Sequence, residues 1–366
     1  MNNNLIKIII ATGGTGGHIV PACCLAKHLS DKKIKTEMIS DNRGLKYLKD
    51  FQGLKIQIID SSSIFNKNLI KSIWAIIILI SALIKSLIYL FKKKPNLVIG
   101  MGGYASFPVC VASKILKIPL MIYENNLHIG KANKYLLPIV NKILVSNTEI
   151  EGIDKKHNKK IHFVGNIIRK EILDLNDLVF DPKKESKLKI LVLGGSQAAK
   201  VFGNELPKIF KQCHDYKIPI EIFQQCLPEQ NDELNKYYRE SNIDFNIFNF
   251  EKDLSKYYRK INFAITRSGS SVLAELFNAR IPFISVPLPS SADNHQYKNA
   301  IYYKKNGYSY LIEEKFLNKE LFGLIKNINA NKSLLNKISA KQGQHSDKSV
   351  YENIDKAIKS LNNEKY

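Results

Sequence analysis

Four glycines and a histidine lie within six consecutive residues of the segment ATGGTGGHIVPA, which spans residues 11–22. An apolar run precedes this segment, so the glycines are predicted to form a turn between a strand and a helix. Such a turn presents backbone N–H groups that suit a phosphate group. His18 would begin the helix, where an imidazole can act as a general base beside a bound anion. A surface or helix-capping histidine is the alternative at this position.

The glycine spacing differs from the GxGxxG pattern of dinucleotide-binding proteins. Gly14, Gly16 and Gly17 come close to that pattern, but their spacing is wrong. Asp41 is only a weak candidate for the acidic residue that holds a ribose in such proteins. The loop is therefore predicted to bind phosphate, and a nicotinamide cofactor is not predicted.

Polar clusters also follow several later apolar runs. The carboxyl ends of neighbouring parallel strands meet at one edge of a sheet, where open α/β folds bind their ligands. Any one cluster could be an ordinary turn, but the three in the first half, at 11–22, 100–108 and 123–126, together predict one binding crevice. The clusters are GMGGYASFP at 100–108, YENN at 123–126, GGSQAA at 194–199, TRSGSSVLAEL at 266–276 and PLPSSADNHQYKNA at 287–300.

The second half of the chain supplies candidate ligands for a sugar nucleotide. Helix N-termini at Ser196 and at 268–271 would together suit a diphosphate. Glu275 could accept hydrogen bonds from two ribose hydroxyls, with an exposed helix acid as the alternative. Side chains that suit sugar hydroxyls follow in the last cluster: Asp293, His295, Gln296 and Asn299. No HxH or DxD pair is placed to hold a metal, so neither a metal nor a cofactor is predicted.

Short apolar runs alternate with helical stretches along the chain. Each half opens with a strand that enters a glycine-rich turn and then a helix, KIIIATGGTGG in the first and KILVLGGSQAA in the second. This pattern predicts two Rossmann-like α/β domains with parallel sheets, facing a central cleft. We expect domains over 1–165 and 166–344, with a C-terminal helix at about 345–366 that packs back on the first. The predicted strands lie at 5–10, 95–103, 118–125, 142–147, 188–196, 218–225, 261–269 and 281–289.

The chain is strongly basic: its 366 residues carry a formal net charge of +22, with a pI near 9.5. This charge favours an anionic partner, whether nucleic acid, anionic lipid or a phosphorylated substrate. Because lysine, isoleucine and asparagine are all abundant, genomic base composition can also account for much of it. The sequence has no RNA-recognition motif, zinc-finger spacing or basic-aromatic stripe, so a nucleic-acid partner is not predicted.

Cysteine usage indicates a reducing compartment. The chain has five cysteines, an odd number, and no CxxC motif. This is typical of a cytosolic protein whose cysteines pack in the core. The first strand is expected near the N-terminus, with no signal peptide before it.

The most apolar part of the chain is KSIWAIIILISALIKSLIYLFKKKP, at 71–95. Only about 13 uncharged residues separate Lys71 from Lys85, too few to span a bilayer. Trp74 and the cluster Lys92–Lys94 flank the stretch as they would an interfacial helix. Each such lysine would add on the order of 1 kcal/mol on anionic lipid. We predict peripheral attachment to an anionic membrane surface, with a buried core helix as the alternative.

The combined motifs resemble the MurG family of peptidoglycan N-acetylglucosaminyltransferases, within glycosyltransferase family 28. GGTGGHIVPA, GMGGYASFP, GGSQAA, RSGSSVLAEL and PLPSSADNHQYKNA stand in that family's order and spacing, and the resemblance covers almost the whole chain. It implies a GT-B fold and an inverting, metal-independent transfer. GlcNAc would pass from UDP-GlcNAc to the 4-hydroxyl of MurNAc in undecaprenyl-diphospho-MurNAc-pentapeptide (lipid I), which gives lipid II.

The resemblance also implies a location and partners. The protein would work in peptidoglycan synthesis, as a peripheral protein on the cytoplasmic face of the inner (plasma) membrane. Its implied partners are UDP-GlcNAc, the lipid-linked acceptor, an anionic membrane surface, and proteins of the cell-wall or division machinery. The alternatives are a UDP-GlcNAc 2-epimerase of similar fold, another lipid-linked sugar transferase, and an inactive nucleotide-sugar-binding module. The apolar stretch counts against the epimerase, and the intact His18, Glu275 and Gln296 count against the inactive module.

Particular residues take implied roles from the family. His18 is the implied catalytic base. The implied acceptor and diphosphate ligands are Thr15, Gly16, Gly17, Gly102, Gly103 and Tyr104. The implied donor ligands are Thr15, Gly16, Gly17, Asn126, Arg169, Ser196, Glu251, Ser270, Glu275, His295, Gln296 and Asn299. Among these, Glu275 would hold the ribose, and the backbone of Phe250 and Glu251 would read uracil.

Four segments depart from the family pattern. YENN stands in place of HEQN, so Tyr123 and Asn125 differ. Ile167 replaces a proline in GNIIR, and Ala198 replaces a glycine in GGSQAA. FQQC, at 223–226, stands where the family has an HQTG-like segment on the uridine side of the site. These changes leave the proposed base and the ribose ligand in place.

Overall fold

In the computed structural model the chain forms two compact units. Unit 1 comprises Met1–Ile168 and Asp347–Tyr366, and unit 2 comprises Arg169–Ser346. The structure describes residues 6–14, 16–48, 53–61, 69–175, 187–195, 200–251 and 253–363. Each unit has a parallel sheet whose strands are connected through helices, so the predicted α/β fold class is confirmed.

The described part of unit 1 contains a seven-stranded parallel sheet in the order β3-β2-β1-β4-β5-β6-β7. Its strands are β1 Lys7–Ala11, β2 Lys35–Ser40, β3 Lys55–Ile58, β4 Leu97–Gly100, β5 Leu120–Glu124, β6 Lys142–Val145 and β7 Ile161–Phe163. Its helices are α1 Gly16–Asp31, α2 Leu45–Leu48, α3 Leu69–Lys93, α4 Ser106–Ile115, α5 Lys131–Leu136 and the last helix of the chain, α14 Val350–Asn363.

The described part of unit 2 contains a six-stranded parallel sheet in the order β10-β9-β8-β11-β12-β13. Its strands are β8 Leu188–Leu193, β9 Ile220–Gln225, β10 Asp244–Phe248, β11 Phe263–Thr266, β12 Phe283–Ser285 and β13 Tyr310–Leu311. Its helices are α6 Lys170–Leu173, α7 Lys200–Asp215, α8 Asn231–Glu240, α9 Ser255–Tyr258, α10 Ser270–Asn278, α11 His295–Lys305, α12 Leu317–Ala330 and α13 Ser333–Gln342.

Buried β-branched residues hold both sheets in place. In unit 1, Ile9 on β1 and Val98 on β4 are fully buried, and in unit 2 Ile190 on β8 and Ile265 on β11 are fully buried. Burying an isoleucine side chain completely is worth about 1.5–3 kcal/mol, so the central strands form rigid supports. The loops at their carboxyl ends therefore start from fixed positions.

The C-terminal helix α14 packs within unit 1. Nε2 of His28 on α1 lies 3.1 Å from Oδ1 of Asp355, and the His28 ring stacks on Tyr351 at 4.6 Å. The hydroxyl of Tyr351 also donates to the carbonyl of Ile168 at 2.6 Å. These contacts return the end of the chain to the first unit.

Helix α3 exposes a large apolar face. Its buried positions include Ala75, Ala82 and Leu90, which form a stripe against the unit 1 core. The opposite face includes Trp74, Ile77, Ile80, Ile84, Ile88 and Phe91, each at least 51% exposed. The alternative of a fully buried core helix is therefore wrong. By length and composition alone Trp74–Lys93 could cross a membrane, a criterion that core helices of soluble proteins also meet. The sequence estimate of 13 residues ended at Lys85, whereas the helix continues to Lys93.

A buried carboxylate anchors the end of α3. Glu37 on β2 accepts a hydrogen bond from the Tyr89 hydroxyl at 2.6 Å and pairs with Nζ of Lys93 at 2.8 Å. Nζ of Lys7 lies 3.4 Å away. Burial opposes ionisation of Glu37, but the hydrogen bonds and both lysine charges lower its pKa to about 2. The ionised carboxylate thus fastens the helix to the sheet.

Candidate active site

His18 lies in the first turn of α1 with its ring against Gly102, in the loop after β4. Gly102 has a φ of +88°, and a Cβ added there would lie 2.7 Å from Nδ1 of His18. Only glycine accommodates both the backbone conformation and the ring. Nδ1 of His18 is buried. The strands that precede the two residues, β1 and β4, pair directly in the sheet.

The two glycine loops of unit 1 pack against each other. Gly103 has a φ of +79°, and a Cβ there would lie 2.4 Å from the carbonyl oxygen of Gly13. A Cβ at Gly13 would in turn lie 2.5 Å from that of Ala105. Tyr104, between these residues, is partly buried. The structure thus brings together the loops at 13–17 and 102–104, and Thr15 of the first loop lies outside the described residues.

Asp41 fixes the first glycine loop through a hydrogen bond to the backbone of Gly14. It follows β2 and is 2% exposed, and its Oδ1 accepts the N–H groups of Gly14 and Gly44, both at 3.0 Å. Its Oδ2 accepts from Nε of Arg43 at 2.9 Å. Sequence reasoning gave Asp41 only a weak role as a ribose ligand and missed this one. A carboxylate at the end of the neighbouring strand was the available signal.

The loop after β5 contacts the first glycine loop through an asparagine side chain. Nδ2 of Asn125 donates to the carbonyl of Gly17 at 2.7 Å. Glu124, 1% exposed, accepts four hydrogen bonds, of which two come from the backbone and side chain of Asn126 at 3.0 Å. Another comes from Nδ2 of Asn133 at 2.9 Å. The candidate ligand Asn126 is therefore held by Glu124, a residue to which the sequence analysis gave no role.

Two departures from the family pattern contact each other. Tyr123 is buried, and its hydroxyl accepts the N–H of Ile167 at 3.0 Å and lies 3.3 Å from the carbonyl of Gly165, to which it donates. Burial raises the pKa of Tyr123, so its hydroxyl stays protonated. A proline at position 167 has no N–H to donate. The tyrosine and the isoleucine are thus complementary, and together they fix the segment that leads to Arg169.

In unit 2, Glu275 on α10 forms an ion pair with Arg169. Nη1 of Arg169 contacts Oε1 of Glu275, and the Tyr258 hydroxyl donates to Oε2 at 3.1 Å. Glu275 is only 3% exposed, so the alternative of an exposed helix acid is wrong. The three side chains come from different elements and form one polar cluster, in which Glu275 and Tyr258 are buried and Arg169 is partly exposed. Sequence reasoning gave Tyr258 no role.

Gln296 and Asn299 on α11 converge on the start of α10. Oε1 of Gln296 accepts the N–H groups of Ser268 at 3.1 Å and Leu288 at 3.0 Å. Because its oxygen is used in this way, Nε2 is the polar group of the Gln296 side chain that these two contacts leave unused. Nδ2 of Asn299 donates to the carbonyl of Ser268 at 3.2 Å. Both predicted ligands therefore lie beside the N-terminal turn that begins at Ser270.

His295 begins α11, and its Nδ1 lies 2.7 Å from the carbonyl of Ala292. It therefore lies next to Gln296 with one ring nitrogen directed at the backbone. Ser196 belongs to a segment outside the described residues. Across the part of the chain that the structure describes, no three His, Cys, Asp or Glu side chains group to hold a metal ion.

The segment at Glu251 is fixed by its own charge pair and by the FQQC segment. Glu251 contacts Lys256; burial opposes its ionisation, but this hydrogen bond, the Asp253 amide and the lysine charge lower its pKa. Nδ2 of Asn249 donates to the carbonyl of Cys226 at 3.1 Å. The last residue of FQQC thereby supports the strand end that precedes Phe250 and Glu251.

Each unit has a parallel sheet with glycine-rich turns at the carboxyl ends of its strands, and two such units are the components of a GT-B fold. The glycosyltransferase family 28 N-terminal domain matches residues 8–145, and the family 28 C-terminal domain matches residues 189–354. The chain belongs to glycosyltransferase family 28, which confirms the resemblance found in the sequence.

Relatives of nearly the same length carry one name, UDP-N-acetylglucosamine–N-acetylmuramyl-(pentapeptide) pyrophosphoryl-undecaprenol N-acetylglucosamine transferase. One from Pelagibacter ubique is 35% identical over 363 residues, covering 98% of this chain and 99% of the relative. One from Francisella tularensis subsp. holarctica is 33% identical, covering 98% of each.

Solved structures have the same fold. MurG of Acinetobacter baumannii is 25% identical with a TM-score of 0.76, covering 97% of this chain and 99% of that one. The Staphylococcus aureus protein MnaA, solved with UDP, is 16% identical with a TM-score of 0.68, covering 98% and 97%. At that identity the second likeness shows the fold alone.

Proposed function

We propose that this chain transfers GlcNAc from UDP-GlcNAc to an undecaprenyl-diphosphate-linked N-acetylmuramyl pentapeptide. Relatives named for that reaction match the chain over nearly its full length. The observation that carries the proposal is the packing of His18 against Gly102. This contact places a basic side chain beside two glycine loops that pack against each other. This arrangement suits an acceptor that has a hydroxyl to deprotonate and a diphosphate to hold.

Unit 1 supplies the acceptor chemistry in this proposal. Nε2 of His18 takes the proton of the MurNAc 4-hydroxyl as that oxygen forms a bond to the anomeric carbon of GlcNAc. The bond from that carbon to UDP breaks, and UDP leaves with the electron pair. Attack from the face opposite UDP inverts the anomeric configuration. Backbone N–H groups of the loops at 13–17 and 102–104 hold the acceptor diphosphate.

Unit 2 supplies the donor site. Glu275 accepts hydrogen bonds from the ribose hydroxyls, and the backbone at Phe250 and Glu251 meets the base. The Nε2 group of Gln296 donates to a GlcNAc hydroxyl, as its fixed oxygen dictates. The N–H groups of the first turn of α10, at Ser270, face the UDP phosphates and stabilise their charge as UDP leaves.

Helix α3 attaches the protein peripherally to the cytoplasmic face of the membrane. Its buried stripe from Ala75 to Leu90 keeps the helix on unit 1, so its length lies along the domain surface. The opposite face carries exposed isoleucines together with Trp74 and Phe91, as an interfacial helix requires. Exposed Lys92 and Lys94 at its end suit anionic headgroups. A lipid-linked substrate would then meet the enzyme where it resides.

UDP release with and without the lipid-linked acceptor tests the transferase. The wild-type protein should release UDP only when both substrates are present. His18→Ala should lower turnover by about 10²–10⁴-fold, while the control His214→Ala on α7 should leave it unchanged. If the protein instead converts UDP-GlcNAc to its 2-epimer without the acceptor, it is an epimerase and the transferase proposal is wrong.

Flotation with vesicles tests the membrane face. Ile77→Glu with Ile80→Glu should abolish binding and leave the melting temperature unchanged, because both side chains already face outward. The control Tyr216→Glu, at a 61% exposed position of unit 2, should still float. Lys92→Gln with Lys94→Gln should weaken binding to anionic but not neutral vesicles, and it leaves the Lys93–Glu37 pair intact. If the Ile77→Glu/Ile80→Glu variant keeps its melting temperature and still floats, α3 is not the membrane-binding surface.

A further inference from the structure

The carboxylate of Glu275 has a narrow approach. Its side chain is only 4% exposed, so a ligand can reach only a small part of it. Arg169 contacts Oε1, and the Tyr258 hydroxyl donates to Oε2 at 3.1 Å. A carboxylate has about four lone-pair positions, so two remain for a pair of neighbouring hydroxyls. A small rotation of the carboxylate would point these two lone-pair positions away from the ligand.

The hydrogen bond from Tyr258 keeps the Glu275 carboxylate from rotating. Tyr258 is 1% exposed, and burial together with the charge of Glu275 raises its pKa well above 10. The hydroxyl therefore remains a donor at any working pH. Its short helix α9 is itself fixed, since Oδ1 of Asp253 caps Ser255 at 3.0 Å and Tyr257 stacks on Phe248 at 4.6 Å.

We propose that Tyr258 is a positioning residue of the sugar-nucleotide site, which orients the Glu275 carboxylate to accept both ribose hydroxyls. The inference rests on the proposed function. Without the tyrosine hydroxyl, both carboxylate oxygens are available to the forked guanidinium of Arg169, which favours two-point pairing. The carboxylate then turns toward Arg169 and away from the ribose. Because α9 follows the Phe250–Glu251 segment directly, Tyr258 also links the carboxylate to the part of the chain that reads the base.

Calorimetric titration of UDP and of 2′,3′-dideoxy-UDP into the full chain tests this role. Tyr258→Phe should raise the Kd of UDP about tenfold, because the loss of one hydrogen bond from a ribose hydroxyl to a charged carboxylate weakens binding by about that factor. The Kd of dideoxy-UDP should change less than about twofold, because that ligand has no hydroxyls for Glu275 to accept. In turnover, KM for UDP-GlcNAc should rise with little change in kcat. The control Tyr216→Phe should alter neither ligand.

The two ligands separate positioning from general support. If Tyr258→Phe weakens UDP and dideoxy-UDP equally, or weakens neither, the proposal is overturned. Glu275→Ala provides the reference. If it weakens the binding of UDP but not of dideoxy-UDP, the contact between Glu275 and the ribose is supported. If it affects both ligands equally, neither that contact nor the positioning role of Tyr258 stands. The transferase itself is judged separately by acceptor-dependent UDP release. If Tyr258→Phe melts too low for calorimetry, the melting-temperature shifts given by the two ligands make the same comparison.

Discussion

Replacing Gly102 with alanine tests whether the packing around His18 matters to the chemistry. The new Cβ would lie 2.7 Å from Nδ1 and 2.8 Å from Cε1 of His18, where ordinary contacts begin near 3.4 Å. The ring must therefore move by at least about 0.7 Å. A displacement near 1 Å in a catalytic group can cost about 10²-fold, so we expect kcat to fall about 10–100-fold. The positive φ adds about 1–2 kcal/mol of strain.

Gly53 provides a matched control for the strain. Its φ is +87°, but a Cβ there would meet nothing within 4 Å. Backbone strain alone should lower the melting temperature of both alanine variants by about 2–8 °C, and the close contact with His18 adds to the loss in Gly102→Ala. Only Gly102→Ala should also lower kcat, measured as acceptor-dependent UDP release at saturating substrates. Combined with His18→Ala, Gly102→Ala should cause little further loss of turnover.

A kcat within twofold of wild type for Gly102→Ala would refute the link between this glycine and the base. So would a double variant whose losses multiply, because Gly102 would then act on something other than His18. If Gly53→Ala lost as much turnover as Gly102→Ala, the effect would come from general strain.

Side chains that support the site and α3 give three further predictions. Tyr123→Phe should lower the free energy of unfolding by about 1–3 kcal/mol in urea, because the buried N–H of Ile167 loses its acceptor; an unchanged value would contradict the contact. Asp41→Ala should raise KM for the acceptor by releasing the loop at Gly14, with KM for UDP-GlcNAc unchanged. Since the pKa of Glu37 is lowered from 4.5 to about 2, its roughly 3 kcal/mol of stability is present above pH 4.5 and lost toward pH 2. Glu37→Gln should therefore be less stable than wild type at pH 7, and this gap should close near pH 2.

The parallel sheets and the glycine loops were predictable because their signals are local. Apolar runs such as that of β1 lead directly into glycine turns, and parallel topology then places those turns at one edge. Strands that are short or partly polar were missed. β3, with the sequence KIQI, and β13, with two residues, carry too little apolar pattern to separate from loop.

The contacts that hold the site could not be predicted because they join distant residues. The pairing of Arg169 with Glu275, and of Tyr258 with the same carboxylate, depends on how α9 and the start of α6 lie beside α10. Sequence reasoning identified Glu275 from its position on a helix and Arg169 through the resemblance, but it did not predict their contact. Likewise, the departures at Tyr123 and Ile167 looked independent until the hydrogen bond between them was seen. The exposed face of α3 also required the structure, since an apolar helix can be buried or exposed.

The product formed on the lipid-linked acceptor tests the central claim most directly. Purified protein, UDP-GlcNAc and the undecaprenyl-diphosphate-linked N-acetylmuramyl pentapeptide would be incubated together, and the acceptor analysed by mass spectrometry and by NMR of its anomeric proton. We predict one added N-acetylhexosamine in the inverted, β configuration, formed by wild type and strongly reduced in His18→Ala. An unmodified acceptor, or a product in the α configuration, would contradict the account.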